Sequence, residues 1–585
     1  MNYNLSTIDP GKKTSLLQAI KTLWPLIVQE KTIMVFALVA VVINSLLNLI
    51  APRLIAHAVD TYIIARDYHG VLMYAGIILA MYVCGLLTSY MQIRLMGGVG
   101  QRVLYRLRNQ VFNKLQALPI AFFNQNKAGD LISRINNDTD KINQFFSQAL
   151  VQFIGNIFLM TGAAIFLLSL NIRLGAATLA PAAGLLIITS LLSAWVKKKN
   201  LVSSRTLGGM SAEIQESLNN FKVIIAFNRR DFFKKRFQEV NDENYTASVG
   251  AGIANNTFTP MYGLASNIGQ MIVLAYGISL ILSGHFTVGL LISFLSYANS
   301  FYSPLRQLAA LWASLQAAMA SWDRVHDILM LESDLPVLTE SAEANYQTAL
   351  ELRNVHFTYP DGKEVLHNIN IQLEKGKTYA LVGPTGGGKT TTASLMARLY
   401  DPTIGTIFLN GKDIRSYSPQ ERTQKIGFIL QEPVLFTGSV RENILYGNEE
   451  YQSHSNEQLE ALIHDAGLEK LLKRFDQGLE TKLTASGDAV SLGQKQLIAF
   501  IRAVLRNPDV LILDEATANI DTVTEELLEE ILRNLPSSTT KVIIAHRLNT
   551  IENADEIFFV NAGEVIKAGS MENALEMLLH QDMRS

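Results

Sequence analysis

The sequence predicts two joined folds: an all-α membrane domain of six transmembrane helices, then an α/β domain built on a largely parallel sheet. Three observations predict this. Of 585 residues only 17% are charged and 49% are hydrophobic, with a mean hydropathy of +0.18. That is apolar for a soluble protein and too polar for a chain lying wholly in lipid. Uncharged runs of the roughly 20 residues needed to cross a bilayer fill the first half. Short apolar runs separated by helical stretches fill the second, the pattern of buried parallel strands. The expected bounds are a membrane domain over 1–335, a linker over 336–350 and the α/β domain over 351–585.

Before the first span, Leu16, Leu17, Ile20, Leu23, Trp24 and Ile27 recur at helical spacing among Lys12, Lys13 and Lys21. This predicts an interfacial helix with Trp24 at headgroup depth. Residues 1–31 lack the continuous apolar core and cleavage site of a secretory signal. Four spans follow at 32–51, 71–93, 145–172 and 174–196. No Asp, Glu, Lys or Arg occurs over 244–305, a length for two more spans broken at Ser283-Gly284-His285.

Basic residues set the orientation. Lys31 precedes the first span, Arg94, Arg102, Arg106, Arg108 and Lys114 follow the second, and Lys197, Lys198, Lys199 and Arg205 follow the fourth. The N-terminus is expected inside, and six spans return the chain there. The two long charged connections, 94–143 and 197–244, read as membrane helices continuing into the cytoplasm, with tips near 118–126 and 228–237. Phe122, Phe123, Phe232 and Phe233 lie there and would be costly as solvated aromatics. The lone Cys84 cannot build a disulfide framework or a zinc site and reads as a small buried apolar residue. A net charge of -2 offers no field for nucleic acid.

In the second half, Gly383-Pro384-Thr385-Gly386-Gly387-Gly388-Lys389-Thr390 follows a predicted strand and is itself followed by Thr391 and a helix. Glycines there let backbone N–H groups curl around phosphate oxygens at a helix N-terminus. Lys389 would reach the β- and γ-phosphates, and the Thr390 hydroxyl would ligate Mg²⁺. The buried strand 510–513 runs into Asp514 and Glu515. Adjacent carboxylates there are costly unless they meet a cation and a water. Asp514 would hold Mg²⁺, and Glu515 would polarise the attacking water. Gln431 and His546 follow two other strands, where open parallel sheets place ligands. Gln431 would also approach the metal.

These motifs in order resemble the ABC transporter superfamily, over nearly the whole chain. Tyr359 resembles the aromatic residue on which its members stack adenine. Gln431, Asp521 and His546 resemble its Q-loop, D-loop and switch histidine. Val490-Ser491-Leu492-Gly493-Gln494 resembles its signature, Leu-Ser-Gly-Gly-Gln, and Gly129-Asp130-Leu131-Ile132-Ser133-Arg134 resembles the first intracellular loop of its exporters. The resemblance implies an ABC exporter half-transporter that uses ATP and Mg²⁺ in the cytoplasmic membrane. It also implies a dimer, with ATP held between the P-loop of one ATPase domain and Ser491, Gly493 and Gln494 of the other.

Two positions depart from the pattern. Leu492 stands where the signature has glycine, and Ala485 where exporters carry a glutamate. A weakened signature beside a complete P-loop, Glu515 and His546 resembles the catalytically complete subunit of heterodimeric bacterial multidrug exporters. The expected partner is therefore a second, different half-transporter. A homodimer remains the alternative. Asn44, Asn48, Gln92, Asn255, Asn256, Asn267, Gln270, Asn299, Tyr262 and Tyr302 place polar groups in apolar helices and suit an amphipathic small molecule, drug or lipid. They equally suit pairing between helices. Peptide export and exporter-fold uptake are the competing classes.

Overall fold

In the computed structural model the described residues are 3–5, 25, 28–333, 335–338, 347–360, 362–483, 490–514, 522–544 and 552–581. The chain forms two compact units. One comprises Asp9–Leu115 and Gly129–Met330; the other comprises Met1–Ile8, Gln116–Ala128 and Leu331–Ser585.

The described residues of the first unit form helices joined by short turns. Its long helices are α1 (Lys31–Ala58), α2 (Tyr68–Gln116, whose last residue joins the other unit), α3 (Leu150–Leu170), α4 (Ile172–Asn219), α5 (Arg230–Asn256), α6 (Phe258–Leu282) and α7 (Val288–Met330). Five helical stretches among the described residues are long and apolar enough to cross a membrane: Lys31–Ile63, Tyr68–Gln116, Ala128–Leu170, Ile172–Asn219 and Arg230–Leu282. The sixth expected span falls on α7, which is helical but less apolar. Its polar side chains explain the difference, because neighbouring helices satisfy them. Ser293 donates to Pro52 O at 2.7 Å, Tyr297 to Leu49 O at 2.7 Å and Tyr302 to Thr178 O at 2.7 Å, all buried. Inside hydrocarbon such pairing is what makes a polar face tolerable.

Cys84 departs from expectation: it is exposed on α2. The apolar stretch of that helix is mostly unburied within the chain, so Cys84 is not part of a packed core. The expected interfacial helix over residues 16–27 lies outside the described residues, apart from Pro25.

The second unit holds the α/β fold. Its strands are β1 (Thr348–Thr358), β2 (Glu364–Glu374), β3 (Thr378–Val382), β4 (Ile404–Leu409), β5 (Lys412–Asp413), β6 (Ile426–Ile429), β7 (Gly438–Ser439), β8 (Lys482–Leu483), β9 (Val510–Asp514), β10 (Thr540–Ile544), β11 (Glu556–Asn561) and β12 (Glu564–Lys567). The main sheet has the order β12-β11-β3-β10-β9-β6, parallel except for β12. Residues such as Ala380, Leu381, Leu511, Ile512 and Val542 are fully buried, which is why these strands read as continuous apolar runs. A second, antiparallel sheet, β2-β1-β4-β5, was not foreseen. The linker is tied down where it is described: Arg398, itself buried, donates to Pro336 O at 2.6 Å, and Leu338 N donates to Arg415 O at 2.9 Å.

Candidate functional site

The parallel strands bring the expected residues to one end of the sheet. β3 leads directly into the glycine-rich loop, β9 ends on Asp514, and Gln431 stands two residues beyond β6. β10 lies between β3 and β9. His546, two residues past β10, lies outside the described residues, as do Glu515, Asp521 and Ala485.

The loop from Gly383 to Gly388 closes on Lys389, the first residue of helix α8 (Lys389–Met396). Gly383 needs its identity: with φ at +145°, an added Cβ would sit 2.0 Å from Val560 O. Lys389 is buried, and its Nζ donates to Gly383 O at 2.9 Å and Pro384 O at 3.0 Å. The ammonium therefore stands inside the loop formed by its own preceding residues. α8 begins on Gly388 with no side-chain cap, and the first N–H groups of any α-helix lack an intrahelical acceptor. A helix N-terminus and a buried ammonium converging on one loop make a receptor for a phosphate chain.

Thr390 Oγ1 donates to Asp514 Oδ1 at 3.3 Å, and Asp514 is buried at the end of β9. A hydroxyl beside a carboxylate offers the hard oxygens that suit Mg²⁺. Thr391 Oγ1 pairs with the Tyr359 hydroxyl at 3.1 Å. The Tyr359 ring packs edge-on against Phe357 at 4.8 Å and Tyr400 at 5.5 Å. An aromatic side chain thus reaches the second residue after the P-loop lysine, beside a cavity of about 390 Å³.

The exposed Gln431 has its carbonyl engaged: it accepts from Nε2 of the buried Gln496 at 3.1 Å. Gln496 belongs to α9 (Leu492–Val504), the helix that follows the signature. Ser491 caps α9: its side chain accepts from Gln494 N at 3.2 Å, and Ser491 N donates to Gln494 Oε1 at 2.9 Å. Gln494 Nε2 also donates to Arg474 O at 2.8 Å. Gly493 is buried, whereas Leu492 is 37% exposed at the first helical position.

The two expected helix tips compare differently with the sequence reading: the first lies within 118–126, and the second lies before 228–237. The first contains a short helix, Ile120–Gln125, in the same unit as the α/β fold. Phe122 is fully buried there, edge-on to Tyr3, and Asn124 donates to the Tyr400 hydroxyl at 2.8 Å. Tyr3 went unforeseen: its N donates to Gln125 Oε1 and its hydroxyl to Glu332 O. The second tip is the short helix Phe221–Ala226, earlier than expected. Asn220 and Asn228 bracket it, the latter at φ +50°. Those asparagines were the signal available in the sequence. Phe232 and Phe233 lie instead on the first turn of α5, while Phe221, Val223, Ile225 and Phe227 are the exposed apolar residues of the tip itself.

Several amides proposed for a transport surface pair with protein. Asn255 and Asn200 exchange hydrogen bonds at 2.9 and 3.0 Å, Asn48 donates to Asn44, and Asn256 donates to Gly252 O. Tyr262 and Tyr302 are buried among Ala182, Leu185 and Ala265.

Comparison with known proteins shows the family. Residues 34–305 match the family described as ABC transporter transmembrane region, and residues 366–518 match the one described as ABC transporter. The ABC transporter ATP-binding protein YfiC of Bacillus subtilis is 32% identical over 561 residues, 95% of this chain and 92% of its own length. A fatty acid ABC transporter ATP-binding/permease protein of Mycobacterium bovis is 33% identical over 86% of this chain and 79% of its own. A multidrug resistance ABC transporter ATP-binding and permease protein of Lactococcus lactis is 29% identical over 92% and 90%.

Proposed function

Because the chain belongs to the ABC transporters, as a membrane region fused to the ATPase domain that drives transport, we propose that it exports amphipathic small molecules, drugs or lipids, as one subunit of a heterodimer. The fatty-acid and multidrug transporters among its relatives support the substrate class. The cytoplasmic membrane is its place, with N-terminus and ATPase domain inside.

Lys389 and the loop N–H groups hold the ATP phosphates, Tyr359 stacks on adenine, and Thr390, Asp514 and Gln431 face Mg²⁺. Bound Mg²⁺ neutralises charge on the phosphates. Glu515 accepts the proton of the attacking water, and His546 and Asp521 complete the site. Ser491, Gly493 and Gln494 serve the ATP held by the partner.

The observation that carries the heterodimer is Leu492. It projects from the N-terminus of α9 beside Ser491, where a phosphate would approach. The weakened contact therefore falls on the partner's ATP, and this chain's P-loop and Glu515 need a complete signature from a different chain.

Purified alone, this chain should hydrolyse ATP poorly, and co-expression with its partner should restore substrate-stimulated ATPase. In that complex Glu515→Gln should nearly abolish turnover while still permitting ATP-driven closure, because the amide keeps the shape but cannot act as a base. Brisk ATPase from this chain alone, halved in mixed dimers with one Glu515→Gln subunit, would establish a homodimer instead.

A further inference from the structure

Away from the nucleotide loop, the β1–β2 hairpin gathers two imidazoles and a carboxylate. His356 Nδ1 lies 3.5 Å and His367 Nδ1 3.1 Å from the same oxygen, Glu364 Oε1. One donor atom from each residue falls within 4.8 Å of the others. Regular pairing would not produce this cluster. Continuing the register Val355↔Ile369 would set His367 opposite Phe357, on the buried face. Instead the register slips twice, to Phe357↔Leu366 and Thr358↔Glu364. Asn368, at φ +49°, lies at the first slip. The slips leave Val355, Phe357 and Leu366 buried and turn Glu364 and His367 toward His356.

The His367 ring is also held from behind. Its backbone N donates to Gly563 O at 2.8 Å, and a Cβ at Gly563, φ +81°, would lie 2.6 Å from ring Cδ2. Only glycine in the β11–β12 turn leaves room for the imidazole.

We propose that His356, Glu364 and His367 form a binding site for a divalent transition-metal cation, best matched by Zn²⁺, that braces the hairpin carrying Tyr359. A tetrahedral ion with ligands at about 2.0–2.1 Å separates its donors by about 3.3 Å. The distances of 3.1 and 3.5 Å to the shared oxygen bracket that edge. Two imidazoles and one carboxylate are a zinc donor set that leaves a fourth position for water, whereas Mg²⁺ and Ca²⁺ prefer all-oxygen sites. His356 and His367 are partly buried and Glu364 is exposed, so an ion enters from solvent. Ligation would tie together the two ends of the turn in which Tyr359 N donates to Lys363 O at 2.9 Å. The metal site stands whether or not Tyr359 meets adenine.

The test uses the full chain in detergent, with its partner where one is needed, stripped with chelator. Co²⁺ is titrated and followed by visible absorption, and bound Zn²⁺ is measured by elemental analysis after dialysis. Wild type should retain one Zn²⁺ more per chain than His356→Asn/His367→Asn and give the intense band of tetrahedral Co²⁺. Outer-shell changes already cost about 10–100-fold in affinity, so the direct ligand change Glu364→Gln should weaken binding at least tenfold. Zn²⁺ should raise the melting temperature of wild type and leave that of the double variant unmoved. Should the double variant fail to fold, Glu364→Gln alone carries the test. Equal zinc content in wild type and variants, or a cobalt signal indifferent to Glu364→Gln, overturns the proposal.

Discussion

The helices that follow the P-loop and the signature both end in backbone N–H groups, yet they are built in opposite ways. α8 starts on Gly388 with no side-chain cap, after a loop wrapped around the Lys389 ammonium. α9 starts on Ser491 with a complete capping box, and Gln494 returns the favour to Ser491 N. The first end has no capping side chain, an arrangement that suits an outside anion. The second has already satisfied part of its own need; in the proposed dimer it would meet a ligand end-on, past Leu492. A wrapped site belongs to one chain by itself; an end-on site would, in the proposed dimer, acquire its meaning from a second.

The largest expected effect is at the wrapped site. Lys389→Ala removes charge-assisted hydrogen bonds at about 1.5–3 kcal/mol each. Losing two should cut ATP affinity at least about a hundredfold, read as lost photocrosslinking of labelled nucleotide to this chain. Undiminished labelling would break the comparison at its root.

Tyr359→Ala should weaken nucleotide binding by about 1–3 kcal/mol, the range for base–aromatic stacking, while Phe and Trp preserve it. If Ala and Phe behave alike, the ring meets no adenine, and its pairing with Thr391 is structural.

At the capped helix the cost should be to stability. Ser491→Ala should lower unfolding free energy by about 0.5–2 kcal/mol and Ser491→Gly by a few tenths, roughly. Denaturant melts measure the difference, and ATP affinity at this chain's P-loop should stay unchanged. A loss of that affinity would mean the two helix ends share one site within the chain.

Leu492→Gly should do least. The side chain is exposed, and surface changes usually fall within about 0.5 kcal/mol. Steady-state ATPase of the complex should move less than about twofold if, as proposed, the altered contact faces the partner's ATP. A several-fold rise would place Leu492 over the main site.

The P-loop, the long apolar runs and the strands ending at Asp514 and near Gln431 were legible in the residues, because each reflects a local requirement. Backbone curling needs glycine, a bilayer needs an unbroken apolar length, and a strand buried on both faces needs an apolar run. Such demands act over neighbours in the chain. Other features depended on residues far apart in sequence. Ser293 and Tyr297 look like polar defects in a span until Pro52 and Leu49 supply the acceptors. Tyr3 acquires a role only beside Phe122 and Glu332. His356, Glu364 and His367 share a face only because two register slips break the alternation of β1 and β2. Alternation and periodicity announce which way a side chain would point in an ideal element. Where the pairing slips, or where a hydrogen bond crosses between distant helices, packing of the whole unit decides, since that is where a buried polar group finds its partner.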